Sequence, residues 1–354
     1  MRKTSILLSF FLSLSVAVYA QERVDNIILL IGDGMGLSSV SMMQLENRYE
    51  PTIFDHAENI ALQRTYSLDN RVTDSAASGT ALANGAKTNN TYLGMTPDGE
   101  ALESLTEVAA RTNRATGLIA TTYIQHATPA AFYATTESRH NYHLISKQLL
   151  ASDIDLVVGG GLAFYKELYG DDYVKHFKES GFGFVPTMEM LRGERGNRRF
   201  LALLADKEVG ENSGSYLAEA TTEALRILEK RGEQGFVLMV EGSLIDGMGH
   251  GNDAKAQQRE MHGFMQAIEV AVKYAEEHPS TLVVVTSDHE TGGLSLVSAN
   301  SDFNLAEQGV EYRWTTGGHS ATMVPIYLYG ASAESINGIM ENSELGAKLK
   351  SLLE

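Results

Sequence analysis

Short runs rich in β-branched residues and Leu recur along this chain at residues 24–31, 116–121, 156–158, 236–240, 282–286 and 324–329, bounded by Gly or Asp. A run without polar alternation leaves a strand no face for water, so each predicts a strand covered on both sides. Between the runs lie patterns of helical period. The clearest spans about 253–277, where Met261, Phe264, Met265, Ile268, Val272 and Ala275 share a face and Asn252 or Asp253 can cap the start. Strands alternating with helices predict an α/β fold: a mainly parallel central sheet with helices on both faces, in one domain from about Arg23 to a last helix near Leu353. The stretches 162–215 and 295–318 lack either period, and the expectation for them is loops or small insertions.

The first twenty residues are of another kind. Arg2 and Lys3 precede an apolar stretch at about 6–18, and Val18-Tyr19-Ala20 leads into polar Gln21-Glu22. This pattern predicts a cleaved export signal at 1–20, a mature chain of 21–354, and a periplasmic or secreted destination. The chain has no Cys. Disulfides and a lipid-modified Cys are thereby excluded, and stability falls to the core, to metals or to association. No later stretch matches the roughly 18 apolar residues of a membrane span. A net charge of −17 argues against a nucleic-acid-binding surface and an anionic membrane as partners.

In open α/β sheets chemistry gathers at the carboxyl ends of the strands. Here those ends read Gly32-Asp33-Gly34-Met35-Gly36, then Glu241-Gly242-Ser243-Leu244-Ile245-Asp246 with His250 four residues on, then Ser287-Asp288-His289-Glu290. Solvated loops account for one such acid more easily than for three acid-bearing ends. Carboxylates and imidazoles are ligands zinc accepts, so the pattern points to metal. A dinucleotide fingerprint at Gly32, Gly34 and Gly36, with Asp55 further on, fails on spacing: its third glycine falls at Leu37, and Asp33 would face a pyrophosphate.

Asp74-Ser75-Ala76-Ala77-Ser78 opens a run of small residues that can pack as a tight helix. Ser75 near its N-terminus would sit where free N–H groups favour an anion, either a phosphate or an activated serine. Equally, Asp74 or Ser75 is a helix cap and nothing more. Local sequence leaves both readings open.

Taken in order, Asp33, Asp74-Ser75-Ala76-Ala77, Thr128 to Arg139, Glu241 to His250, Asp288-His289 and the late Gly317-Gly318-His319-Ser320 resemble the alkaline phosphatase family across nearly the whole mature chain. The resemblance implies an alkaline-phosphatase-like fold and hydrolysis of phosphate monoesters, with broad specificity and a phosphoserine intermediate. It implies Ser75 as nucleophile and Arg139 as a bidentate grip on phosphate. Asp246, His250 and His319 are then ligands of a first zinc beside the leaving oxygen. Asp33, Asp288 and His289 hold a second zinc that activates the serine. Asp33 bridges to one magnesium, completed by Thr128 and Glu241. A homodimer is likewise implied.

This chain departs from the family pattern at two places. His126 stands beside the third metal position and the phosphate, where the best-known bacterial members carry Asp and animal relatives His, which leaves the metal preference of the third site open. Gly247 stands where relatives carry Lys, His or Trp reaching toward phosphate, so phosphate is expected to be held less tightly. His56, His140, His143, His176, His262 and His278 lack a matching acid and read as surface or packing residues. Gly159-Gly160-Gly161 reads as a tight turn, and Trp314 as either a loop anchor or a neighbour of the metal site. A Ser-His-Asp protease triad is the competing enzyme reading, disfavoured by the surplus carboxylates. Within the superfamily a diesterase or sulfatase shares the metals. The absence of Cys or Pro near Ser75, and Ser rather than Thr as nucleophile, favour monoesters. A non-catalytic metal- or phosphate-binding protein would need the same geometry without turnover.

Overall fold

The computed structural model describes residues 23–195, 199–210, 216–299 and 309–354. The predicted export signal lies outside the described residues. The strands in chain order are β1 (Asn26–Gly32), β2 (Asn59–Arg64), β3 (Ala115–Tyr123), β4 (Leu156–Gly160), β5 (Phe182–Phe184), β6 (Arg199–Leu203), β7 (Phe236–Gly242), β8 (Thr281–Thr286), β9 (Glu290–Thr291), β10 (Ser295–Ser298), β11 (Val310–Arg313), β12 (His319–Ser320), β13 (Val324–Gly330) and β14 (Gly338–Glu341). Ten of them form one sheet in the order β14-β2-β13-β8-β1-β7-β3-β4-β6-β5. Its strands run parallel except β13, which is antiparallel to β2 and β8. Every apolar run of the sequence is one of these strands.

Burial on both faces follows from the side-chain alternation of a strand. Ile27, Leu29 and Ile31 of β1 enter one core with Leu82, Leu105, Val108, Ile145, Leu149, Leu345 and Leu349. Those residues come from helices Ser75–Asn84, Leu105–Arg111, Tyr142–Ala151 and Asn342–Ser351. Ile28 and Leu30 enter the other core, with Val40, Leu217, Leu225, Met261 and Phe264, from helices Leu37–Glu46, Tyr216–Leu228 and Ala254–Glu277. The last of these is capped by Asp253, whose carboxylate accepts from the Ala256 N–H at 3.0 Å.

The segment 162–203, expected as loops, is instead regular: helices Leu162–Tyr169, Tyr173–Glu179 and Met188–Gly193 alternate with β5 and β6. Its helices are short and its strands span 3 and 5 residues, so neither period had room to register. In 295–318, β10 and β11 pair as an antiparallel hairpin. The glycine triplet is less a turn than a close contact. Gly159 and Gly160 continue β4, and a Cβ on Gly160 would fall 1.4 Å from the Lys207 carbonyl oxygen.

Register brings the acids together. Ile31 pairs with Glu241 across β1 and β7, and with Thr286 across β1 and β8. Asp33 and Asp288 each lie two residues beyond that second pair, so three carboxylates from distant sequence meet on one sheet edge.

Candidate active site

Asp33, Glu241, Asp288 and His289 are all fully buried on that edge. Asp33 sits in a turn that only glycine can close. Gly34 has φ +73°, and a Cβ there would lie 2.8 Å from both Asp246 Cα and Thr291 Oγ1. The Gly34 and His289 N–H groups donate to Asp288 Oδ1, at 3.2 and 3.0 Å. They fix that carboxylate and leave its Oδ2 without a hydrogen-bond partner, as are both oxygens of Asp33, both of Glu241, and Thr128 Oγ1.

Helix Leu244–His250 projects Asp246 and His250 on one face, four residues apart. His250 Nδ1–H donates to the Gly317 carbonyl (2.8 Å), and His319 Nδ1–H to the Thr73 carbonyl (2.8 Å). Each bond leaves an Nε2 lone pair, and the two Nε2 atoms face each other at 3.3 Å with Asp246 beside them. On the far side His289 Nδ1–H donates to Thr291 Oγ1 (3.2 Å), and that hydroxyl donates to Asp246 Oδ1 (2.5 Å). His289 Nε2 is thereby left facing Ser75 Oγ at 3.2 Å, Asp288 Oδ2 at 3.1 Å and Asp33 Oδ1 at 3.5 Å.

Three groups of donor atoms, each within 4.8 Å of one another, result: Asp246, His250 and His319; Asp33, Asp246 and His289; Asp33, His126 and Glu241. The predicted members of the first group coincide. In the second, Asp246 joins Asp33 and His289, with Asp288 against the imidazole. The third adds His126 to Asp33 and Glu241. None of the six histidines read as surface or packing residues enters any group among the described residues.

Ser75 is the first residue of helix Ser75–Asn84, and Asp74 is its N-cap, accepting from the Ala77 N–H at 3.0 Å. The cap reading is thus realised by Asp74, and Ser75 stands beside it at the helix N-terminus. The cap has a second task that sequence did not disclose: Asp74 Oδ2 accepts from Arg139 Nη1 at 3.1 Å and aims the guanidinium. Arg139 Nη2 lies 3.1 Å from His126 Nε2. Thr291, which joins Asp246 to His289, was also missed; a threonine two residues past a histidine carries no signal of its own. Trp314 lies against Gly292, where a Cβ would come within 2.4 Å of the ring, and is a loop anchor.

Charge and geometry together limit the chemistry. Burial raises the pKa of Asp33, with repulsion from Asp288, Asp246 and Glu241 adding to it. Burial likewise carries Glu241 up to about 8. His126 is held down to about 3, by burial and then by Arg139. Four converging carboxylates face a single guanidinium already paired with Asp74, a surplus that buried cations relieve. A protease triad is excluded by orientation. Its acid must hold the imidazole nitrogen remote from the serine, yet Asp288 and Ser75 share Nε2. A serine at a helix N-terminus among cation-sized clusters of carboxylate and imidazole belongs to the metal-assisted hydrolases.

The comparisons narrow this class. The family model for alkaline phosphatase matches residues 24–311. Alkaline phosphatase 3 of Bacillus subtilis is 32% identical, over 94% of this chain and 90% of the relative. The solved alkaline phosphatase from the Antarctic bacterium TAB5 is 35% identical with a TM-score of 0.87, covering 94% of this chain and 99% of that one. A histidine-to-glutamate variant of that enzyme has magnesium bound in the M3 site. The chain belongs to the alkaline phosphatase family, and it hydrolyses phosphate monoesters.

Proposed function

We propose that this phosphatase works through a phosphoserine on Ser75, at a site for two zinc ions and one magnesium ion, with broad monoester specificity. The donor sets fit these ions. Asp246, His250 and His319 would hold one zinc, and Asp33, Asp288 and His289 the other, with nitrogen and oxygen ligands whose free lone pairs already converge. Asp33, Glu241 and Thr128 would hold magnesium through oxygen, with His126 adjoining. When bound, the cations supply positive charge at the attacking and departing oxygens.

The chain's own residues do the rest. Asp74 holds Arg139 so that its two forward N–H groups can take two phosphate oxygens side by side. The helix N-terminus adds its unpaired N–H groups and positive end to the same phosphate. Ser75 Oγ would attack the phosphorus as the bond to the alcohol oxygen breaks, giving the phosphoserine and the free alcohol. Water would then attack the phosphorus of the phosphoserine, breaking its bond to Ser75 Oγ, so that inorganic phosphate leaves and the serine hydroxyl is restored. The residues around the leaving group are small: a Cβ on Gly247 would meet nothing within 4 Å, and Gly317 and Gly318 are nearly as open. Among the described residues these three glycines leave the space beside Asp246 and His250 open, which supports broad specificity. Export to the periplasm or beyond and assembly as a homodimer complete the proposal, resting on the N-terminal pattern and on the family.

The observation that carries the reading is the placement of Ser75 Oγ 3.2 Å from His289 Nε2 among the three clusters. Its test is Ser75→Ala in metal-loaded protein, assayed on p-nitrophenyl phosphate beside bis-p-nitrophenyl phosphate. The expected result is a kcat on the monoester lower by about 10³-fold or more, with zinc content unchanged and acid-trapped phosphoenzyme abolished. Wild-type preference for the diester, or full turnover by the variant, would overturn it.

A further inference from the structure

Helix Asn342–Ser351 backs the helix that begins at Ser75, through residues four apart: Asn342, Gly346 and Lys350. Gly346 lets the backbones touch, since a Cβ there would lie 2.4 Å from the Ala81 carbonyl oxygen. Lys350 Nζ donates to the Asn84 carbonyl at 3.3 Å. The third contact reaches further. Asn342 Nδ2 donates to Ser78 Oγ at 2.8 Å, and Ser78 Oγ donates to the main-chain carbonyl of Asp288 at 2.6 Å. Asn342 and Ser78 are both fully buried.

A mid-helix serine ordinarily turns its proton to the carbonyl one turn back. Here the asparagine N–H occupies a lone pair of Ser78, and the hydroxyl proton goes across to Asp288 instead. Ser78 lies one turn after Ser75. Asp288 precedes His289, whose Nε2 faces Ser75 Oγ. The two bonds thus tie the last helix to the serine helix, and the serine helix to the loop bearing Asp288 and His289, in one series.

We infer that Ser78 and Asn342 are positioning residues for phosphoryl transfer: they set the distance between Ser75 and the Asp288–His289 ligand pair without touching substrate. The inference rests on Ser75 being the nucleophile. Misplacement of a reacting group by an ångström can cost as much as 10²-fold in rate.

The test compares Ser78→Ala and Asn342→Leu with Lys350→Met, which weakens the same helix pair two turns away. With metals restored, kcat should fall about ten- to a hundred-fold in Ser78→Ala and about three- to tenfold in Asn342→Leu, with KM within about twofold. Both should yield less acid-trapped phosphoserine and release one zinc equivalent to a chelator faster than wild type. Lys350→Met should lower the melting temperature with kcat unchanged. Wild-type kcat and zinc release in both strut variants would overturn the inference, as would losses that merely track melting temperature, with Lys350→Met on the same line. Wild-type protein that turns over no monoester would sink the functional reading separately. The zinc-release comparison alone would then decide for or against the strut.

Discussion

Asp33 and Glu241 stand side by side with no solvent and no hydrogen-bond partner for any of their four carboxylate oxygens. Burial raises both, Glu241 to about 8, whereas an unfolded carboxyl titrates near ~4. Without cations the native chain holds protons that the unfolded chain has released. The stability this confers is present at low pH and is lost as pH rises through the native values. His250, raised to about 9 chiefly by its bond to Asp246, adds to the loss with the same sign. Bound cations replace these protons. The melting temperature of chelated protein should therefore fall between pH 6.5 and 8.5 while that of metal-loaded protein holds, the gap widening by at least about 3 °C. A gap constant across that range in differential scanning calorimetry would contradict this account. Asp33, Glu241, Asp246, His250, Asp288 and His289 were legible in the sequence because acids and imidazoles after apolar runs are rare and conspicuous, whereas Ser75, His126, Thr128, Arg139 and His319 stood out only through the resemblance to the family. Asp74's hold on Arg139, the Thr291 link and Ser78 were not legible. Each is a short polar residue whose partner lies tens to hundreds of residues away, and only the folded register reveals it.

Among the elements, helix Leu244–His250 shows how little a substitution can disturb. Gly247 faces outward from it, and a side chain there meets nothing within 4 Å. Replacing a glycine inside a helix also removes a backbone-entropy cost. Gly247→Lys should fold with a melting temperature at or slightly above wild type. By placing an ammonium beside Asp246 and His250, it should lower the phosphate inhibition constant about three- to tenfold. An unchanged constant in steady-state inhibition would show that the empty position has no bearing on product release. Gly160 is the opposite case, where the Lys207 backbone fills the space any Cβ would need. The sequence could rank neither glycine, since what separates them is the neighbour and not the residue. Central strands were readable because burial on both faces makes them continuous. Strand β2 escaped notice because it is half exposed, and β5 because it spans 3 residues.

At the scale of the whole molecule, alternating strands and helices were enough to specify a doubly covered, mainly parallel sheet. The strand order was not readable, because β1 sits between β7 and β8, far from its sequence neighbours. That same order has a kinetic meaning. The donor atoms come from residues as far apart as Asp33 and His319, and they share a locus only after β8, β1 and β7 have found register. Loops of this length close late, and few of these contacts can exist in a half-formed chain. Cations should then do little for the speed at which the protein refolds and much for how long it survives. In denaturant-jump experiments, zinc and magnesium should leave the refolding rate within about twofold and slow unfolding at least about tenfold. An equal acceleration of refolding would mean that the ligands assemble early. Otherwise the sheet must close before metal availability can matter, and a cell short of metal would accumulate folded, short-lived protein instead of chain that never folded.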